Sequence, residues 1–157
     1  MPSYSFLDVN AAIVGIGGAI NLGAGAGAAE EGISVEYVDA KNTMTMGADG
    51  TGMHSLHASS ASRVVCTFLK ASPANAQLAA MYNLQTVSAR THGSNIISIY
   101  NLVSGDAYTC SQVAFGKFPH NLYSKDGRTV SWEFHCVKTD VELGAGNTNS
   151  ITSPVGI

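Results

Sequence analysis

The chain has 157 residues and a net charge of −3, with 12% charged side chains against 45% hydrophobic ones. Ordinary soluble domains carry about 25% charge, so the surface is under-charged for a solitary monomer, while the apolar content excludes a disordered chain. Sparse Lys and Arg exclude a protein built to grip nucleic-acid phosphates.

Leu7 to Val14 and Ala19 to Leu22 read as short strands set off by Gly turns. No charge falls between Asp8 and Glu30, and Ala11 to Ala29 is long enough on paper to span a bilayer. Gly and Ala dominate that stretch, only Ile13, Val14, Ile16, Ile20 and Leu22 are strongly apolar, and neither end is flanked by Lys or Arg. It therefore reads as neither a membrane span nor a secretory leader. Gly23-Ala24-Gly25-Ala26-Gly27-Ala28 fits a loose dinucleotide fingerprint, which needs a long helix to follow. Here Glu30-Glu31-Gly32 follows at once, and Ile33, Val35 and Tyr37 alternate as a strand does, so a turn between two strands is the better reading.

Ile33 to Asp39 and Thr43 to Gly47 are the next candidate strands, the second inside a Gly-rich, charge-poor loop from Ala40 to Ala58. His54 and His57 in that loop would share a face if helical. Gly47, Gly50 and Gly52 precede them and no third ligand is adjacent, so they read as loop or strand histidines rather than a metal seat. Arg63 to Lys70 is a stronger strand, with Val64, Cys66 and Phe68 on one face and Val65, Thr67 and Leu69 on the other. One helix follows. Ser72 is an N-cap, Pro73 fits the first turn, and Leu78, Met81, Tyr82 and Gln85 share a face, which predicts a helix over about residues 73–84.

Ile96 to Val103, Ala107 to Phe118 and Thr129 to Leu143 complete the strands, with Lys125-Asp126-Gly127-Arg128 as a tight-hairpin turn before the last. In that last strand Val130, Trp132, Phe134 and Cys136 form one apolar face. Beyond Cys136 the phase inverts to Val137, Val141 and Leu143, as a bulge or a change of packing environment would require. Apolar residues on both faces of several strands imply that a partner, or the helix and loops of the same chain, covers the second face. Cys66, Cys110 and Cys136 are widely spaced and sit in apolar strand patterns, as buried free thiols do. No catalytic constellation and no cofactor motif occurs, so the chain reads as a non-enzyme without cofactor or metal.

Several of these segments resemble the tail tube proteins of contractile phages, in the group found in Mu-like and related phages. They are Ser3-Tyr4-Ser5-Phe6-Leu7-Asp8-Val9, the loop Lys41 to His57, Lys70-Ala71-Ser72-Pro73-Ala74-Asn75-Ala76, Gly105-Asp106, Ser111-Gln112-Val113-Ala114-Phe115, and Lys125-Asp126-Gly127 before Trp132. The resemblance runs in order over residues 3–143. It implies one mainly β domain over 1–143, two packed antiparallel sheets forming a barrel-like sandwich with one helix, and a polar tail over 144–157.

The resemblance further implies a structural subunit whose copies form rings, six to a ring, stacked into a hollow tube inside a contractile sheath. Such a tube penetrates the host envelope and conducts DNA. The partners implied are the chain itself, the sheath, the baseplate or tail tip and the tail terminator. The tape-measure protein and DNA would pass through the lumen without sequence-specific binding. The chain would have no membrane anchor, and would be made in the host cytoplasm and reside in the virion tail. A tailocin or type VI-like tube without DNA cargo is the alternative, and a ligand-binding β-sandwich a more distant one. Because the Ala40 to Ala58 loop is long and poor in charge, its residues Lys41, Met44, Met46, Met53, His54, Leu56 and His57 are expected to reach an adjacent subunit or ring. Phe68, Leu78, Met81, Trp132 and Phe134 form the core, and Glu36, Asp39, Glu133, Asp140 and Glu142 are candidates to line the lumen.

Overall fold

The computed structural model describes residues 3–144, without the side chains of residues 28–31. A 3₁₀ turn, Phe6–Asp8, leads into β1 (Val9–Gly15) and β2 (Gly18–Asn21), followed by β3 (Ala28–Tyr37), β4 (Asn42–Met46), β5 (Gly52–Leu56) and β6 (Ser62–Leu69). Helix α1 (Pro73–Gln85) precedes β7 (Asn95–Asn101), β8 (Ala107–Lys117) and β9 (Thr129–Glu142). Seven strands form one antiparallel sheet in the order β2-β1-β7-β8-β9-β6-β3, and β4 and β5 form a separate two-stranded sheet.

This order forces the sheet to curl. Strands β2 and β3 are consecutive in sequence yet lie at opposite edges. Laid flat, those edges would be about 29 Å apart at the usual ~4.8 Å strand spacing. The chain from Asn21 to Ala28 reaches about 25 Å when fully extended. It does not run fully extended, because the Leu22 and Ala24 N–H groups donate to Ala11 and Val9 of β1 while the Gly27 carbonyl accepts from Leu69 at the end of β6. The connection thus ties one side of the sheet to the other. The two packed layers implied by the resemblance are the two halves of this single folded-over sheet, and since β2 and β3 do not pair, the barrel stays open.

A single core lies between the halves. Ile13, Ile20, Leu22 and Ile97 from one side meet Val64, Phe68, Trp132 and Phe134 from the other, and α1 fills the open end with Ala74, Leu78 and Met81. The helix is held at both ends. Ser72 Oγ accepts from Ala74 N–H at 3.2 Å as an N-cap and donates to the Ala26 carbonyl. At the far end Gln85 and Asn95 exchange side-chain amide hydrogen bonds of 2.7 and 2.6 Å, and Gln85 Nε2 also donates to the Ile16 carbonyl at 2.7 Å. A Cβ at position 15 would lie 1.7 Å from Asn95 Oδ1, so only glycine fits beside that buried pair.

Three sequence expectations change. The Leu7 to Val14 strand begins at Val9, because Ser5 Oγ accepts from Leu7 N–H and turns residues 6–8 into 3₁₀ structure. No tight hairpin forms at Lys125-Asp126-Gly127-Arg128: β8 ends at Lys117 and residues 118–128 form a longer loop. Phe118 packs on Tyr82 and Trp132, and Lys70 Nζ bonds Asn121 Oδ1 and the Leu122 carbonyl under the Tyr123 ring, so the chain is drawn away from a two-residue turn. Finally, the phase inversion after Cys136 is real, but β9 keeps its register against β8, Val113 opposite Cys136 and Ser111 opposite Lys138. The extra residue lies in β8 against β7, at Gln112 with φ 54°. Beyond Cys136 strand β9 also loses β6, which starts at Ser62, and Val137 and Val141 stay exposed.

Trp132 is 1% exposed, donates from Nε1 to Asn75 Oδ1 at 3.1 Å, and meets Phe115 and Phe118 edge-on. Trp132→Ala is expected to destabilise the subunit by about 3–5 kcal/mol in urea or thermal unfolding; an unchanged midpoint would contradict this packing.

Candidate functional site

The residues picked out for subunit contact lie on the β4–β5 hairpin, so the segment read as a Gly-rich loop is a two-stranded arm. Its tip is set by Asp49, whose carboxylate accepts from Thr51 N–H at 3.0 Å, a bond that holds the Asp49 carboxyl below the usual range. Register places Met44 opposite His54 and Asn42 opposite Leu56, so Met44, Met46, His54 and Leu56 share one face of the arm. Met53 lies on the other face. Lys41 stands at the base, its Nζ 3.4 Å from the Ala58 carbonyl. His54 bonds Asn42 at 3.1 Å and His57 bonds Thr43 at 2.6 Å, from opposite faces. They do not converge on a metal position. All of β4 is exposed, and Leu56 is 86% exposed. A lone two-stranded ribbon is marginal in water, and this one presents methionines and a leucine rather than charges.

Open strand edges are the second feature. Among the described residues β3 has a partner only on its β6 side, and its register shifts between Ala28 and Ile33, with Gly32 at φ 60°, leaving Ile33–Tyr37 as the regular ladder. β8 pairs with β7 only as far as Val113 opposite Asn95, so Ala114 to Lys117 is held by β9 alone. The β2 edge is short, and α1 flanks it, with Met81 and Leu84 against Gly17.

Charge is the third. The half-sheet β9-β6-β3 carries a row across its convex face: Arg63 lies 3.6 Å from Glu36 and 3.8 Å from Glu133, and Glu133 is 2.8 Å from His135. Asp140 and Glu142 continue along β9 opposite Thr109 and Ala107 of β8. Asp39 stands past the end of β3 and accepts from Ser59 Oγ at 3.0 Å. Of the five acidic candidates for a lumen, Glu36 and Glu133 are brought together through Arg63, while Asp39, Asp140 and Glu142 stand apart. Phe68, Leu78, Met81, Trp132 and Phe134 are all buried.

What sequence reasoning missed is polar. Ser62 and Thr139 are buried and hydrogen-bonded at 2.6 Å beside Cys110, and Thr139 Oγ1 lies 3.9 Å from Cys110 Sγ. For Thr139, its place among apolar residues in the inverted-phase part of β9 was the available signal. All three cysteines are free and buried. Burial pushes the Cys66 thiol up to about 12. The hydrogen bond shared by Cys110 and Cys136 lowers the first and raises the second, with burial adding to the rise of Cys136. Among the described residues no group of three or more His, Cys, Asp or Glu could hold a metal ion, and no helix is long and apolar enough to cross a membrane.

A family model described as the bacteriophage PhiTE tail tube protein matches residues 1–144. Three solved structures resemble the fold. The cap of the anti-feeding prophage is 8% identical at a TM-score of 0.56, over 92% of this chain and 93% of that one. The sheath–tube complex of an extracellular contractile injection system, PVC, is 10% identical at 0.58, over 90% and 92%. The anti-feeding prophage baseplate is 11% identical at 0.53, over 90% and 96%. No curated protein matches.

Two outcomes test the site's description. Because Met44 and Leu56 are both exposed, Met44→Ser with Leu56→Ser is expected to change subunit stability by less than about 0.5 kcal/mol in thermal unfolding. A thiol-reactive dye at pH 8 is expected to leave the folded chain unlabelled, since even the acidic Cys110 is out of reach, and to label Cys66, Cys110 and Cys136 after unfolding in guanidinium.

Proposed function

This chain belongs to the bacteriophage PhiTE tail tube family, and we propose that its copies close into six-membered rings that stack as the hollow tube of a contractile tail. The family is one of structural tube subunits, not enzymes. The observation that carries the ring is the matched pair of open edges, Ile33–Tyr37 of β3 and Ala114 to Lys117 of β8, at the two ends of one antiparallel run of four strands.

Three antiparallel steps separate β8 from β3, so they run in opposite directions. Rotation about a ring axis preserves direction, and β3 of one copy therefore meets β8 of the next in antiparallel order. Each joint satisfies backbone N–H and C=O groups that an isolated sheet would leave to water or to disordered aggregation. A head-to-tail contact of this kind closes a ring, and a separate open contact along the axis stacks rings. The β4–β5 arm supplies the latter: its apolar face is covered by a subunit of the adjacent ring.

Closure turns the convex face of β9-β6-β3 toward the lumen. Glu36, Glu133 and the more distant Asp140 and Glu142 stand there against Arg63, Lys138 and Lys117, the last opposite Glu133 in β8, so each copy adds a small excess of negative charge to the bore. Phosphates are repelled rather than bound, and DNA passes without being held. Sheath, baseplate, terminator and tape-measure proteins are the partners of such a tube. A second reading, a tube of an injection particle without DNA cargo, draws support from the anti-feeding prophage and PVC structures.

The test joins microscopy with cross-linking. The purified chain is expected to form rings or hollow tubes in electron micrographs. Glu36→Cys combined with Ala114→Cys, bridged by a short bis-maleimide, is expected to give a ladder of covalent multimers ending at the ring size. Tubes that yield only monomer on the gel would refute the β3–β8 joint.

A further inference from the structure

Four charged side chains cross the convex face in alternating sign, on the neighbouring strands β8, β9, β6 and β3. Lys117 lies opposite Glu133, Glu133 is 3.8 Å from Arg63, and Arg63 is 3.6 Å from Glu36. The row starts with a cation on one open edge and ends with an anion on the other. Lys117 owes its place in it to a second irregularity of β8. Phe115 is buried, so plain alternation would aim residue 117 at the core as well. The ladder to β9 has an extra residue between them, Gly116, which turns Lys117 onto the face of Glu133. The Glu133 carboxylate already serves Arg63 and His135, and among the described residues no ion pair includes Lys117. At the other edge Glu36, Tyr37, Val38 and Arg63 surround a shallow depression open to solvent. The Glu36 side chain there is 71% exposed, so the Arg63 contact leaves much of its carboxylate uncovered.

We propose that Lys117 of one copy seats in this depression on the next and pairs with its Glu36, and that this ion pair sets the register of the β3–β8 joint. The inference rests on the ring reading above. Sidedness restricts the joint to registers two residues apart, because a one-residue slip would turn every core-facing side chain outward. Phe115 can then face Ile33, Val35 or Tyr37, which are part-buried on the core side of β3. Backbone pairing alone does not choose among the three. Only Tyr37 opposite Phe115 brings Glu36 beside Gly116 and Lys117, and the glycine adds no side chain between the two charges. The row then closes head to tail: Lys117, Glu133, Arg63, Glu36, and Lys117 of the neighbouring copy. An exposed ion pair adds little affinity. Its effect is to favour one register over others that leave both edge charges unmatched.

Carbodiimide coupling tests this, because it joins a carboxylate to an amine without a spacer. Within one copy Glu36 and Lys117 lie on strands three spacings apart, about 14 Å, so a direct amide between them links two copies. Native tubes treated with a water-soluble carbodiimide are expected to yield covalent multimers, and their digest a peptide joining Glu36 to Lys117. Lys117→Arg keeps the charge, and its tubes are expected to form normally but to lose that peptide. Lys117→Glu is expected to melt like the native chain and to need about tenfold more protein to assemble. Native tubes whose digest lacks the peptide would overturn the ion pair, as would folded Lys117→Glu chains that assemble like the native one. Should Lys117→Glu fail to fold, the native digest alone decides. In each case the ring reading stands as long as Glu36→Cys with Ala114→Cys still gives its ladder. Loss of that ladder too, or a native chain that forms no tubes, overturns the ring reading and this inference with it.

Discussion

A connection too short for a flat sheet governs this molecule. Residues 22–27 must carry the chain from one edge of a seven-stranded sheet to the other, and hydrogen bonds to Ala11, Val9 and Leu69 hold them to both sides. The sheet folds over in consequence, and one core serves both halves. Ile13 and Ile97 can then share a cluster with Phe68 and Trp132, and α1 has a single opening to fill. The helix in turn fixes the connection, because Ser72 caps the helix and bonds Ala26 with the same hydroxyl.

Folding over without closing leaves edges. A closed barrel would have none, whereas this sheet ends in β3 and releases the second half of β8 from β7 after the bulge at Gln112. The bulge therefore has two effects. It inverts the phase of β8, so that Cys110 and Val113 both point into the core, and it leaves Ala114 to Lys117 without β7. Bulges commonly mark places where pairing ends or a side chain is re-aimed.

Charge follows the same division. One convex face holds an acid–base row and the other is neutral, and the arm between β3 and β6 is apolar on one side. A surface this poor in charge is costly to expose to water as a monomer, and becomes economical when most of it is covered. The buried polar pairs have a different part. Gln85 with Asn95, and Ser62 with Thr139, are each satisfied by their partner, so they specify where the helix end and the β6–β9 crossing sit without leaving unpaired groups.

From the sequence, the strands, the helix and its cap were legible, because period-two alternation and the Ser72-Pro73 signal are local. So was the inversion at Cys136, because a phase change is written in one strand. Low charge, with apolar residues on both faces, already pointed to assembly, and the family resemblance identified the chain as a tube subunit. The rest depended on contacts remote in sequence. Only the tertiary structure decided that β4 and β5 pair into an arm, which puts His54 and His57 on opposite faces. It also decided that the bulge belongs to β8 rather than β9, and that Lys70 and the Phe118 cluster override the Asp126-Gly127 turn. Sheet order decided the edges and the two convex faces. Alternation tells which residues share a side of a strand, but strand neighbours are chosen by the core that all of them must cover together.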